Sequence, residues 1–135
     1  LAQVFFNLLT NAKEALTERP FHPSSGLDRK IVMRTFKEKN WVVVKISDNG
    51  IGIPVHIKDR IFEPFFSTKS DCKVKGLGLA ICNKIIKRYQ GRITVESQEG
   101  VGTTVTLRLP SAGLRLDKNY HRLSSSATRG VVQHT

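Results

Sequence analysis

Acidic residues are scarce in this chain. Across 135 residues, 11 Asp and Glu stand against 22 Lys and Arg, for a formal net charge of +11. That balance points to a polyanion: nucleic acid, a phosphate-bearing small molecule or an acidic protein surface. Nucleic acid is the default for a basic chain, but the charge here is scattered, and neither a groove-reading motif nor a ladder of aromatics accompanies it. Cysteine occurs only twice, at Cys72 and Cys82. Two thiols make no disulfide framework, and no histidine lies close enough in sequence to complete a zinc site. Free thiols in a reducing, cytoplasmic setting are the plain reading. Long hydrophobic runs are missing too. None approaches the roughly 18 residues that span a bilayer, and no signal peptide is visible, so no membrane contact is expected. Repeats are absent. With 39% hydrophobic residues the chain can bury one core, and it is too small for two.

What is present has clear periodicity. Leu1 to Glu18 is predicted as a helix, with Val4, Phe5, Leu8, Leu9, Ala12, Ala15 and Leu16 on one side and Gln3, Asn7, Asn11, Glu14 and Glu18 on the other. The chain starts already inside this helix, as a piece of something longer would. Arg19 to Asp28 carries two prolines and a glycine and reads as a loop. Lys30–Lys37 and Trp41–Ser47 read as strands joined by a turn at Glu38-Lys39-Asn40. Irregular chain follows from Asp48 to Gly76, broken by a short helix near His56–Phe62. A second long helix runs from Leu77 to Gln90, ended by Gly91. Arg92–Ser97 and Thr103–Leu109 are strands around a turn at 98–102. From Ser111 the pattern is lost, which divides the chain into a domain over 1–110 and a tail or linker over 111–135. Amphipathic helices with hairpins make an α+β fold, a two-layer α/β sandwich with the helices on one face of a mixed, largely antiparallel sheet.

Several short stretches carry possible chemistry. Asp48-Asn49-Gly50-Ile51-Gly52 follows a strand directly. A carboxylate there can accept a hydrogen bond from an exocyclic amine, and the glycines let a flat ring approach the backbone; an ordinary Asp-Asn-Gly turn is the plain alternative. Gly76-Leu77-Gly78 opens the second helix, where backbone N–H groups and the helix dipole suit phosphate. The GKS/T ending of a Walker loop is missing, and no strand precedes it as in a Rossmann turn. Asn7 and Asn11 lie one turn apart on the polar side of the first helix. Their amide oxygens can reach a hydrated magnesium ion, or they simply solvate that face. Phe62, Phe65, Phe66, Thr68 and Lys69 sit on a long irregular segment that suits a lid.

Five motifs in order, N-L-L-T-N-A-K-E-A, D-N-G-I-G-I-P, I-F-E-P-F-F-S-T-K, G-L-G-L-A-I and G-V-G-T-T-V-T-L-R-L-P, resemble the ATP-binding catalytic domain of sensor histidine kinases. That family belongs to the group shared with gyrase, Hsp90-type and MutL-type ATPases. The resemblance covers residues 1–110 and is closest to the nitrogen-regulation type. It implies a Bergerat-type ATP-binding fold, and an ATP and Mg2+ site at Asn7, Asn11, Asp48, Gly50, Gly52, Ile53, Phe66, Thr68, Lys69, Gly76, Leu77, Gly78, Leu79 and Thr103. By the same analogy Asp48 reads the adenine amine, with Thr103 joining it through water. Gly52 lies beside the ring, Phe62–Lys69 forms the base of the lid, Gly76 and Gly78 meet the phosphates, and Asn11 is the metal ligand.

The implied partners are ATP or ADP, the dimerisation and phosphoacceptor domain of the same protein, and a response-regulator receiver domain. Relatives carry a third glycine where this chain has Val74, and a β-branched residue resists positive φ, which implies a stiffer lid or weaker nucleotide binding. They also have a strand before the first helix, so four strands are expected here instead of five. Gyrase-like relatives place a general-base Glu where this chain has Asn7, and an amide takes no proton from water, so weak hydrolysis is expected. His22, His56, His121 and His134 lack the H-E-x-x setting of a phosphoacceptor, so the chain alone is not expected to autophosphorylate. An anti-sigma-type protein serine kinase of the same fold, a degenerate domain and a basic binding module remain alternatives.

Overall fold

The computed structural model describes residues 1–20, 24, 26, 28–64 and 78–111. Helix α1 spans Ala2–Glu18 and buries Val4, Leu8, Ala12 and Leu16. These recur every fourth residue, so a single stripe of the helix meets the core. Strands β1 (Ile31–Glu38) and β2 (Trp41–Asp48) form a hairpin with Glu38 opposite Trp41. The two-residue link is possible because Lys39 takes the left-handed conformation, φ 53°. A one-turn helix α2 follows at Val55–Lys58, shorter than the segment expected near His56–Phe62. Helix α3 runs over Gly78–Arg88 and buries Cys82 and Ile86, again four apart. Strands β3 (Arg92–Gln98) and β4 (Gly102–Pro110) make the second hairpin.

The four strands are ordered β1-β2-β4-β3. Every pairing is antiparallel, so among the described residues the sheet is not mixed as expected. One face carries Val44 and Ile46 of β2, Leu107 and Leu109 of β4 and Ile93 of β3. These pack with Val4 and Leu8 of α1 and Cys82 and Ile86 of α3 into one core. Helices on one face of an antiparallel sheet give the α+β two-layer sandwich that the pattern predicts.

The end of α3 departs from expectation in an instructive way. The left-handed residue there is Gln90, φ 58°, not Gly91. The Gln90 N–H bonds the Lys87 carbonyl at 2.9 Å and the Gly91 N–H bonds the Ile86 carbonyl at 3.0 Å. That pair of bonds is a Schellman motif. Gly91 is needed for room, because a Cβ there would lie 2.6 Å from the Arg108 carbonyl oxygen of β4. The glycine lets the helix end press onto the sheet.

Candidate functional site

Side chains alternate along a strand, so Ile46 and Asp48 share the helix-covered face of β2. On the same face β3 places Val95 and Ser97, and β4 places Thr103 and Val105, with Asp48 opposite Thr103 and Ser97 opposite Thr103. The core face therefore changes from aliphatic to polar toward one end of the sheet. There a cavity of about 440 Å3 opens between sheet, α1 and the chain after β2. Ile46, Val95 and Val105 form an apolar floor, and Ile57, Ile61 and Leu79 contribute further apolar surface.

Asp48 lines this cavity. Its Oδ1 accepts the Gly50 N–H at 2.9 Å, closing a tight turn. Burial pushes its carboxyl above the ordinary carboxylate range, while N–H groups of Gly50 and Thr103 pull it partly back by favouring the charged form. Asn49 serves the opposite side of the turn. Its carboxamide accepts the Lys30 N–H at 2.8 Å and donates to the Asp28 carbonyl at 2.7 Å, while Arg19 donates to its backbone carbonyl.

The turn is tied on both flanks. The Ile51 N–H bonds the Ala15 carbonyl of α1 at 3.1 Å, and the Ile51 carbonyl accepts the Gly100 N–H at 2.7 Å. Gly52, φ 71°, lies so close to the β3–β4 turn that a Cβ would sit 2.1 Å from the Gln98 carbonyl oxygen. Gly50 is equally confined, with its Cβ position 2.5 Å from backbone carbon of Ala15. Both glycines admit the protein's own backbone, which is a different reason for glycine than close approach of a ligand ring.

Helix α1 supplies the opposite wall through Asn11, Glu14, Ala15 and Glu18, whose spacing of three and four puts them along one edge. Asn11 also sits 3.9 Å from the Cβ position of Gly78, so it faces the first described turn of α3. Asn7 is not among the described lining residues. Its carboxamide meets the Cys82 thiol, whose pKa burial pushes up and Asn7 partly restores.

Of the residues foreseen, Asn11, Asp48, Gly52, Ile53, Leu79 and Thr103 thus share one cavity. Gly50 braces it from behind, Gly78 borders it at Asn11, and Asn7 belongs to the helix–helix contact. Phe66, Thr68, Lys69, Gly76 and Leu77 lie outside the described residues, as does Val74. Glu14, Glu18 and Glu99 line the cavity without having been foreseen there. The two α1 acids follow Asn11 at helical spacing and were legible on that ground. Glu99 comes from a turn, where no period marks it.

The described lining holds four carboxylates and no lysine or arginine. This end suits an uncharged, amine-bearing flat group lying on the aliphatic floor. Among the described lining residues no cation stands beside Asp48 or Glu99 to pair a phosphate.

Residues 1–113 match the family model described as histidine kinase-, DNA gyrase B- and HSP90-like ATPase. The chain is 38% identical over 112 residues to the two-component sensor PprA of Pseudomonas aeruginosa, covering 83% of this chain and 12% of the relative. To the signal transduction histidine-protein kinase AtoS of Escherichia coli it is 40% identical, over 82% of this chain and 16% of the relative. The chain therefore spans less than a fifth of these relatives' length. A solved structure of the catalytic domain of histidine kinase ThkA superposes with a TM-score of 0.60 at 34% identity, over 81% of this chain and 64% of that one. The chain belongs to the family of histidine kinase-, DNA gyrase B- and HSP90-like ATPases.

Proposed function

We propose that residues 1–110 are the ATP-binding catalytic domain of a two-component sensor histidine kinase. It presents the γ-phosphate of ATP to a histidine on a separate dimerisation domain, with onward transfer to a response-regulator receiver domain. The observation that carries this reading is the placement of Asp48 above an aliphatic floor, braced by two backbone N–H groups and facing Asn11 across the cavity. Adenine's flat face suits the floor and its amine suits the carboxylate. Asn11, beside the first described turn of α3, offers the phosphates a neutral polar group.

The donor set fits magnesium. Asn11 offers a hard, neutral oxygen, and the described residues hold no cluster of three His, Cys, Asp or Glu that would enclose a metal. Magnesium is ordinarily held by one or two protein oxygens, with waters and phosphates completing the shell. Asn11 would hold it, and the ion would supply charge neutralisation of the phosphates. The chain's own contribution is to bind the base and orient the nucleotide, with the amide Asn7 at the general-base position of gyrase-like relatives. Asn7, an amide, cannot take a proton from water. Such a site transfers its phosphoryl group by positioning and electrostatics. Phe66, Thr68, Lys69, Gly76 and Leu77 complete the proposed site, and residues 111–135 are a tail or linker beyond it.

Calorimetric titration with ATP, with and without magnesium, tests the reading. Wild type binds more tightly with the metal. Asn11→Ala loses most of that increment and keeps most of the metal-free affinity. Equal losses under both conditions would remove Asn11 from the metal.

A further inference from the structure

Basic charge that is scattered along the sequence is gathered by the fold. Both long helices pack on the face of Val44 and Ile46, so Val43 and Lys45 point to the opposite face of β2. Arg34 of β1 stands directly opposite Lys45. Arg108 of β4 stands opposite Val43, and Arg92 of β3 directly opposite Arg108. Lys45 is paired with Thr106, so Arg108, two residues further on, is its diagonal neighbour at about 7–8 Å. One cation from each of the four strands thus joins a band across the open face of the sheet, spanning about 14 Å over the three strand spacings.

Like charges directly opposite one another destabilise a sheet. This band holds two such pairs, Arg34 with Lys45 and Arg92 with Arg108. Carboxylates do little to offset them. Oε2 of Glu38 lies 3.9 Å from Nε of Arg108, an ion pair open to solvent and of small worth. Among the described residues Arg34, Lys45 and Arg92 have no carboxylate partner. Phe36, 43% exposed, adjoins the band opposite Val43, and Trp41 lies half-buried on the same face of β2.

We infer that this open face of the sheet docks the acidic surface of a second protein, which supplies the carboxylates that the band lacks. Guanidinium forks take carboxylates two-pronged, and Trp, Phe and Arg are the side chains that anchor protein interfaces. Single-stranded nucleic acid stacks successive bases on aromatics, whereas Phe36 is the one exposed aromatic of this face among the described residues. Glu38 and Glu96 stand on the same face at opposite ends of the sheet. A continuous phosphate backbone or a plane of anionic headgroups would meet them there, and a partner with a discrete acidic patch would not. The surface lies on the far side of the sheet from Asp48, so it is independent of the nucleotide cavity.

The test uses a poly-glutamate peptide at about 0.1 M ionic strength, where charges more than about 10 Å away are screened. Trp41 is the only tryptophan, so its fluorescence reports binding at this face, and calorimetry gives the affinity. Wild type binds with a saturating change in Trp41 emission. Arg34→Glu combined with Arg92→Glu lowers the affinity by about tenfold. Lys13→Glu combined with Lys84→Glu, both exposed on the helices, has the same net charge and lowers it by about twofold or less. Each reversal on the sheet turns a like pair into an opposite one, so the face variant melts no lower than wild type and its loss of binding is not a loss of fold. If it does not fold, Arg34→Gln combined with Arg92→Gln weakens binding in its place. Equal falls in the sheet and helix variants would make binding a diffuse effect of net charge and overturn the inference, as would a wild type whose Trp41 emission ignores the peptide. Single-stranded DNA or phosphatidylserine vesicles that bind more tightly than the peptide, and are lost in the face variant, would give the face to nucleic acid or membrane and overturn it too.

Discussion

Asp48 is held at a cost to the fold. Burial favours its protonated form, so its carboxyl titrates above the ordinary range. For a group so shifted, the folded state binds the proton more tightly than the unfolded state. Its contribution to stability is fully present below the unfolded pKa and is lost as pH rises through the raised folded pKa. Asp48→Asn, which keeps an acceptor oxygen for Gly50 and Thr103, is therefore expected to melt higher than wild type at pH 7. The gain shrinks to nothing when the pH is taken below the ordinary carboxylate range. Thermal melts across that interval check it, and an unchanged melting temperature at pH 7 would contradict it. The same substitution should cost ATP affinity, as expected where a strained or destabilised group serves a site. Asp48 and Asn11 were legible in the sequence because each sits at a fixed offset in a strand or helix. The closeness of Asn7 to the Cys82 thiol was not, because helical spacing gives a direction but not the neighbour, and Cys82 lies 75 positions along the chain.

At the scale of elements, period decided what could be read. Both long helices and all four strands follow from apolar spacing, with ends displaced by a residue or two as frayed termini usually are. The all-antiparallel ladder was less accessible, since pairing depends on partners distant in sequence. The packing reasons for the glycines were hidden for the same reason. Gly52 lines the cavity, and on its other side it abuts the Gln98 carbonyl of the β3–β4 turn, which no period announces. Gly91 closes α3, while the left-handed conformation there belongs to Gln90. Gly52→Ala forces a methyl into backbone in an unfavourable conformation, and a loss of about 2–4 kcal/mol is expected. Denaturant titration measures it. ATP binding should fall as well, because the displaced loop carries Ile53 and follows Asp48. A variant with wild-type stability would show that the loop is not held as described.

At the scale of the whole molecule, charge is divided in space. The chain is strongly basic, yet four carboxylates line the one cavity where the sheet, α1 and the D-N-G-I-G-I-P turn meet. Composition alone therefore pointed to a polyanion without showing where it would be received. No described helix is long and apolar enough to cross a membrane. The measurement that bears most directly on this account is an NMR titration of the isotope-labelled chain with Mg-ATP, in wild type and in Asp48→Ala. The account predicts saturable shifts at Asp48, Ile53, Leu79 and Thr103, little change at the distant Lys39 hairpin, and loss of those shifts in the variant. Shifts centred elsewhere, or an undiminished response in Asp48→Ala, would contradict it.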